Sequence, residues 1–182
     1  MRPHRLSWLC VLGATLAAAP AIGQRLPLEV SVVVKPGASY SDYEGFELDT
    51  GYGLGIGWAF SDSWSMELRG LFADGDAADV ETYQMGLRRA FAGAGAWRPF
   101  VQAGLHFQRS ELEREVVCVR APCPPLEERH EDLGAYAGGG VDWRFAPRAA
   151  LRLDGRLAVY DSDRSGSAEE SADVTAGLVL RF

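Results

Sequence analysis

An all-β fold, closed as an eight-stranded antiparallel up-and-down barrel, is what this sequence predicts, on three observations. Apolar residues recur at every second position along eight separate segments, which is the period of a strand. Glycine supplies 21 of the 182 residues and repeatedly stands opposite bulky side chains. The links between segments alternate, short then long, as in barrels with one trimmed and one elaborated rim.

The first segment sets Leu28, Val30, Val32 and Val34 against Glu29, Ser31, Val33 and Lys35. The second has the most unequal faces. Phe46, Leu48, Tyr52, Leu54, Ile56, Trp58 and Phe60 share one side, and Glu47, Asp49, Gly51, Gly53, Gly55, Gly57 and Ala59 the other. Trp64, Met66, Leu68 and Phe72 then oppose Ser65, Glu67, Arg69 and Leu71, and Tyr83, Met85, Leu87 and Phe91 oppose Gln84, Gly86, Arg88 and Ala90. Val101, Ala103, Leu105 and Phe107 oppose Gln102, Gly104, His106 and Gln108. In the sixth segment Leu133, Ala135, Ala137, Val141, Trp143 and Phe145 face away from Gly134, Tyr136, Gly138, Gly140, Asp142 and Arg144. Leu151, Leu153, Leu157 and Val159 oppose Arg152, Asp154, Arg156 and Tyr160, and Val174, Ala176, Leu178, Leu180 and Phe182 oppose Asp173, Thr175, Gly177, Val179 and Arg181. Eight is an even number, as antiparallel closure needs. Ser61–Ser63, Gly93–Ala96 and Ala146–Arg148 read as short turns, and Pro36–Gly45, Ala73–Glu81, Ser110–Asp132 and Asp161–Ala172 as longer polar loops.

Residues 1–23 read as an export signal peptide, with residues 24–182 as the barrel domain. Arg2 and Arg5 give a positive start, Leu6–Ala19 is almost wholly apolar, and Ala21-Ile22-Gly23 offers small residues for cleavage. The apolar run is short of the roughly 20 residues that span a bilayer, and Cys10 lacks the setting of a lipid-anchor site. The signal holds 2 of the 18 basic residues and none of the 25 acidic ones, leaving the remainder at a formal charge of −9. That balance disfavours nucleic acid as a partner.

A soluble ligand-carrying barrel would turn the bulky face inward and the charges to water. Eight strands leave an interior just wide enough for side chains, and every Trp, Phe, Leu and Val named above would overfill it. The glycine-rich face therefore belongs inside, and the apolar face meets lipid, making the barrel a transmembrane one. Inward positions carry Glu29, Glu47, Asp49, Glu67, Asp142, Asp154 and Asp173 against Lys35, Arg69, Arg88, Arg144, Arg152, Arg156 and Arg181, seven of each sign. Glu47, Glu67, Arg69, Arg88, Asp142, Arg144, Arg152, Asp154 and Arg156 are expected to form a charge network that plugs the lumen. Outward, Arg89 is the exception among apolar residues, its stem free to lie on apolar surface while its head reaches headgroups. Trp58, Phe60, Trp64, Phe91, Trp97, Trp143 and Phe145 fall near the short turns, as an interfacial aromatic girdle would.

With these faces assigned, the sequence resembles the small OmpA/OmpX-like outer-membrane barrel family over about Leu28–Phe182. The resemblance rests on the eight-strand pattern, Pro99-Phe100-Val101-Gln102-Ala103-Gly104-Leu105, and Gly177-Leu178-Val179-Leu180-Arg181-Phe182. It implies a place in the bacterial outer membrane, reached through the periplasm, among lipid and lipopolysaccharide. It also implies that Val174, Ala176, Leu178, Leu180 and Phe182 act as the signal read by the barrel-assembly machinery. No peptidoglycan-binding domain is expected after the barrel, unlike full-length members of the outer-membrane protein A type.

No catalytic residue is expected. His106 points inward, with Ser110 four residues on and Glu111 after it, whereas a lipid A deacylase barrel carries His and Ser two apart on a lipid-exposed surface. His130 sits in the charged run Glu127-Glu128-Arg129-His130-Glu131-Asp132, a solvated crown. Asp161, Asp163, Ser165 and Gly166 start like a calcium loop, but the twelfth position is Ala172, so the bidentate carboxylate is missing. Asp74, Gly75, Asp76 and Asp79 leave weak divalent-cation binding at the loop rim open. Neither a metal centre nor a cofactor is expected. Gly51, Gly53, Gly55 and Gly57 alternate within a strand with no helix after them, which rules out a nucleotide loop. Cys118 and Cys123, the only cysteines past the signal, are expected to form a disulfide on passing an oxidising compartment.

The expected role is structural, adhesive or surface-interacting, with an extracellular ligand that the sequence does not name. The alternatives are a narrow channel for ions or small solutes, and a lipid-modifying envelope enzyme.

Overall fold

The computed structural model describes residues 28–36, 39–41, 45–47, 50–74, 78–114, 126–162 and 167–182. Residues 1–23, expected to be a signal segment, lie outside them, as do Asp49, Gly75, Asp76, Cys118, Cys123, Asp163, Ser165 and Gly166. The strands are β1 (Leu28–Pro36), β2 (Ser39–Ser41), β3 (Gly45–Glu47), β4 (Thr50–Ala59), β5 (Trp64–Asp74), β6 (Ala78–Ala90), β7 (Trp97–Arg114), β8 (Leu126–Ala146), β9 (Ala149–Ser162) and β10 (Ser167–Arg181). No helix occurs among the described residues.

Eight of these strands close an antiparallel barrel in the order β1, β4, β5, β6, β7, β8, β9, β10, sealed by β1 pairing back onto β10. At the seam Val30 faces Leu180 and Val34 faces Ala176, and the Phe182 N–H donates to the Leu28 carbonyl at 3.0 Å. Pro36 pairs with Thr50, and beyond them Ser39 pairs with Glu47 in the same register, so β2 and β3 prolong the β1–β4 ladder. β2 also pairs with β10 at Ser39–Asp173, on the edge that β1 uses lower down.

The long links are shorter than the sequence suggests. β7 runs to Arg114 and β8 starts at Leu126, with Glu111 opposite Arg129, and β10 begins at Ser167. These segments lie past the residues at which the sequence alternates apolar and polar, and the ladder continues there without the alternation that marks a half-buried strand. The short turns fall at Phe60–Ser63, Phe91–Ala96 and Pro147–Arg148. In the second of these, Gly95 takes φ +63°, a left-handed turn position that glycine adopts without steric cost, and a Cβ at Gly93 would collide with the Trp97 carbonyl.

The two faces differ as a membrane barrel requires. Val32, Ile56, Leu68, Met85, Leu105, Leu153 and Leu157 are exposed on the outside. Val33, Leu71, Phe100, Tyr136, Tyr160 and Val179 are buried inside with Ser65, Thr82 and the charged groups described below. Aromatic rings band the outer surface at two levels. Near the short turns Trp97 stacks on Trp143 with centroids 6.0 Å apart, and Phe145 follows at 6.1 Å. Toward the other rim Tyr52, Phe72, Tyr83 and Phe107 touch in series across β4, β5, β6 and β7, with centroids 6.0, 6.1 and 6.3 Å apart. Eight residues separate Trp64 from Phe72, which at about 3.3 Å per residue and a tilt near 40° is about 20 Å of membrane normal. Arg89 lies in the lower band, its guanidinium 5.5 Å from the Trp64 ring and 5.4 Å from Phe91.

Candidate functional site: the charged lumen

The strand period sends alternate residues of every barrel strand inward, and β4 contributes only glycines there from Gly51 to Gly57. The inward side chains of the other strands occupy the space that this bare wall leaves. At Gly53 a Cβ would stand 2.6 Å from Leu71 Cδ2.

Glu67 is the hub. Its Oε1 accepts from Arg69 Nε at 3.0 Å and Arg156 Nη2 at 3.2 Å, and its Oε2 accepts from Arg152 Nη1 at 2.8 Å with Arg88 Nη1 at 3.7 Å. Four guanidinium groups from β5, β6 and β9 thus converge on one carboxylate of β5. Toward the long-loop rim Asp154 takes Arg69 bidentately at 3.2 and 3.1 Å, Arg156 Nε at 3.1 Å and the Thr175 hydroxyl at 3.0 Å. Toward the short-turn rim Asp142 accepts from Arg152 Nε at 2.8 Å and Arg181 Nη2 at 2.7 Å. Glu29 there accepts from Arg181 Nε at 2.7 Å, Arg152 Nη2 at 3.4 Å and Arg88 Nη2.

Neutral groups complete the packing. Phe100 has Arg88 on its ring at 5.4 Å and Arg152 at 5.1 Å, and Arg156 lies 5.2 Å from the Tyr136 ring. Gln84 accepts from Arg156 Nη1 and meets His106 Nδ1 at 3.2 Å, while the His106 ring stacks on Tyr160 at 5.5 Å. Removing such charges from water costs several kcal/mol per ion, which only multiple close partners offset. The chemistry of the set is mutual neutralisation, with each of these carboxylates shared among guanidinium groups.

Of the residues expected in the network, the structure brings Glu67, Arg69, Arg88, Asp142, Arg152, Asp154 and Arg156 together and buries them. It does not bring Arg144, which is exposed at the short-turn end, where the β8–β9 register shifts between Arg144 and Ala146. Strand parity alone does not tell an inward position in the lumen from one at its mouth. The Glu47 side chain lies outside the described residues. Glu29 and Arg181 enter the network although the expected set omits them, and their inward parity was the available signal. Lys35 and Asp173 pair separately at 3.1 Å. Ser110 stands opposite His130 across β7 and β8, a cross-strand neighbour that sequence spacing does not reveal. Of the expected assembly signal, Val174, Leu178, Leu180 and Phe182 are exposed outward and Ala176 is half-buried. Among the described residues no group of three or more His, Cys, Asp or Glu is placed to hold a metal.

The profile of the outer membrane protein beta-barrel domain matches residues 7–182. This chain belongs to that family. Its members lie in the bacterial outer membrane, and so does this outer-membrane barrel. Among solved structures it is similar in fold to the Neisserial surface protein A, at 13% identity and TM-score 0.57 over 85% of this chain and 96% of that one. The N-terminal barrel domain of Pseudomonas aeruginosa OprF aligns at 15% identity and TM-score 0.57 over 86% and 98%. Ail, the attachment invasion locus protein of Yersinia pestis, aligns at 11% and 0.54 over 86% and 97%. Among curated proteins none matches the barrel's sequence significantly.

Proposed function

We propose that this outer-membrane barrel is a closed scaffold that presents its long hairpins at the cell surface for structural or adhesive contacts, and that its lumen does not conduct. The observation that carries the reading is Glu67 with four arginines around it, all five side chains buried in the lumen. An eight-stranded interior is filled by side chains of this size and leaves no wide water column. The β7–β8 ladder continues to Arg114 and Leu126, through a stretch of sequence rich in charged residues. A similar fold carries the name of an attachment and invasion protein, which agrees with a contact role.

A non-catalytic reading follows from the same inventory. Covalent catalysis needs a nucleophile activated by a neighbouring base, and the lumen histidine, His106, is instead engaged by Gln84 and stacked on Tyr160. Planar-bilayer recording on the refolded barrel tests the closed lumen. Absent or small conductance is expected, and stable large channels would favour the transport reading. Adhesion assays with each long hairpin deleted in turn test the contact role, with loss of binding confined to one or two deletions as the expected result.

A further inference from the structure

At the short-turn rim the bends Phe60–Ser63 and Phe91–Ala96 flank a cleft of about 380 Å³, lined by Asp62, Phe91, Gly93, Trp97, Arg98 and Arg144 among others. Its volume lies within the roughly 300–1,000 Å³ of small-ligand sites. Two guanidinium groups line it, and they differ from those of the lumen. Arg69, Arg88, Arg152, Arg156 and Arg181 each have carboxylate partners. Arg98 and Arg144 form no ion pair with any carboxylate among the described residues. Arg98 donates instead to the Asp62 backbone carbonyl, which turns it toward the bend. Its cross-strand neighbour Asp142 is already taken by Arg152 and Arg181. The Arg144 N–H donates to the Ala96 carbonyl at 2.8 Å, holding the end of β8 against the same turn.

The outer edge of the cleft has the opposite character. Trp97 and Phe91 are exposed on the lipid-facing side, in the lower aromatic band, and Arg89 lies over Phe91. One side of the cleft thus faces hydrocarbon and the other offers guanidinium donors at headgroup depth, which is the layout a phospholipid needs. Short turns mark the periplasmic rim of such barrels. We propose that the cleft binds the headgroup of an anionic phospholipid of the periplasmic leaflet. The phosphate oxygens accept from Arg98 and Arg144, and the acyl chains run up past Trp97 and Phe91. Arginine suits this role because its fork matches phosphate oxygens in pairs. Asp62 is the one acid in the lining, so the cleft's side chains carry a net positive charge that a singly anionic lipid neutralises and a zwitterionic one does not.

Native mass spectrometry of the refolded barrel, released from mixed micelles with equimolar phosphatidylglycerol and phosphatidylethanolamine, tests this. The unmutated protein should retain phosphatidylglycerol several-fold over phosphatidylethanolamine. Arg98→Gln with Arg144→Gln should abolish the preference, whereas Arg148→Gln, an exposed rim arginine outside the cleft lining, should preserve it. Heat-modifiability checks folding, and if the double variant fails to fold, the exposed Arg144→Gln alone should still lower the preference at least two-fold. Equal retention of the two lipids, or an equal loss in Arg148→Gln, would overturn the proposal. Displacement of the lipid by millimolar glycerol phosphate would overturn it too, assigning the cleft to a free anion.

Discussion

Arg69 and Asp154 face each other across the lumen, 85 residues apart in the chain, with two parallel N–H···O bonds of 3.2 and 3.1 Å. Each partner is engaged elsewhere as well, Arg69 with Glu67 and Asp154 with Arg156 and Thr175, so neither can be removed alone without stranding charge.

Arg69→Ala should therefore cost about 3–5 kcal/mol, the range for breaking a buried pair from one side. Replacing Arg69 and Asp154 together by apolar residues of similar volume should cost less than either single change. Denaturant titration of the refolded protein in lipid vesicles measures both, and a double variant worse than the sum of the singles would contradict the pairing.

On the outside, Leu68 lies midway between Trp64 and Phe72 and is 54% exposed to what surrounds the barrel. Leu68→Arg should cost about 2–4 kcal/mol, as an arginine at mid-depth does, while the same change near a rim should cost about 0–1 kcal/mol. Equal costs at the two depths, in the same titration, would mean that this face does not meet hydrocarbon.

Two positions on the glycine wall should respond differently to alanine. At Gly53 a Cβ meets the Gly70 carbonyl and Leu71 Cδ2, which are held by the ladder and by packing. At Gly55 the one tight contact is the Ser31 hydroxyl, which can rotate aside. Gly53→Ala should cost about 1–3 kcal/mol through overpacking, with Gly55→Ala within about 0.5 kcal/mol of neutral. The order of unfolding midpoints decides it.

The pairing of Cys118 with Cys123 lies outside the described residues and remains an expectation from the sequence. The unreduced protein purified from membranes should weigh two hydrogens less than its reduced form by mass spectrometry. Two alkylatable thiols in freshly isolated membranes would refute the bond.

The barrel was legible because its strands divide two unlike surroundings. Tyr52, Leu54, Ile56 and Trp58 against Gly51, Gly53, Gly55 and Gly57 leave no other period to fit. Strand ends were less legible, because beyond the bilayer, as from Glu111 to Arg114, no apolar solvent enforces alternation. In the lumen, parity announced that Arg69 and Asp154 point inward, but partner choice depends on relative strand height and on the bare β4 wall. Height also set Arg144 at the mouth and drew Glu29 and Arg181 into the network.

The seam between β1 and β10 bears on the order of events in the cell. Glu29 pairs with Arg181, so the bonds that close the cylinder join stretches 152 residues apart in the chain. Until β10 is delivered, β1 offers an open edge of unpaired N–H and C=O groups, and such an edge cannot face hydrocarbon. Closure of this barrel in a membrane therefore waits on the arrival of β10, and until then the β1 edge needs something else to cover it.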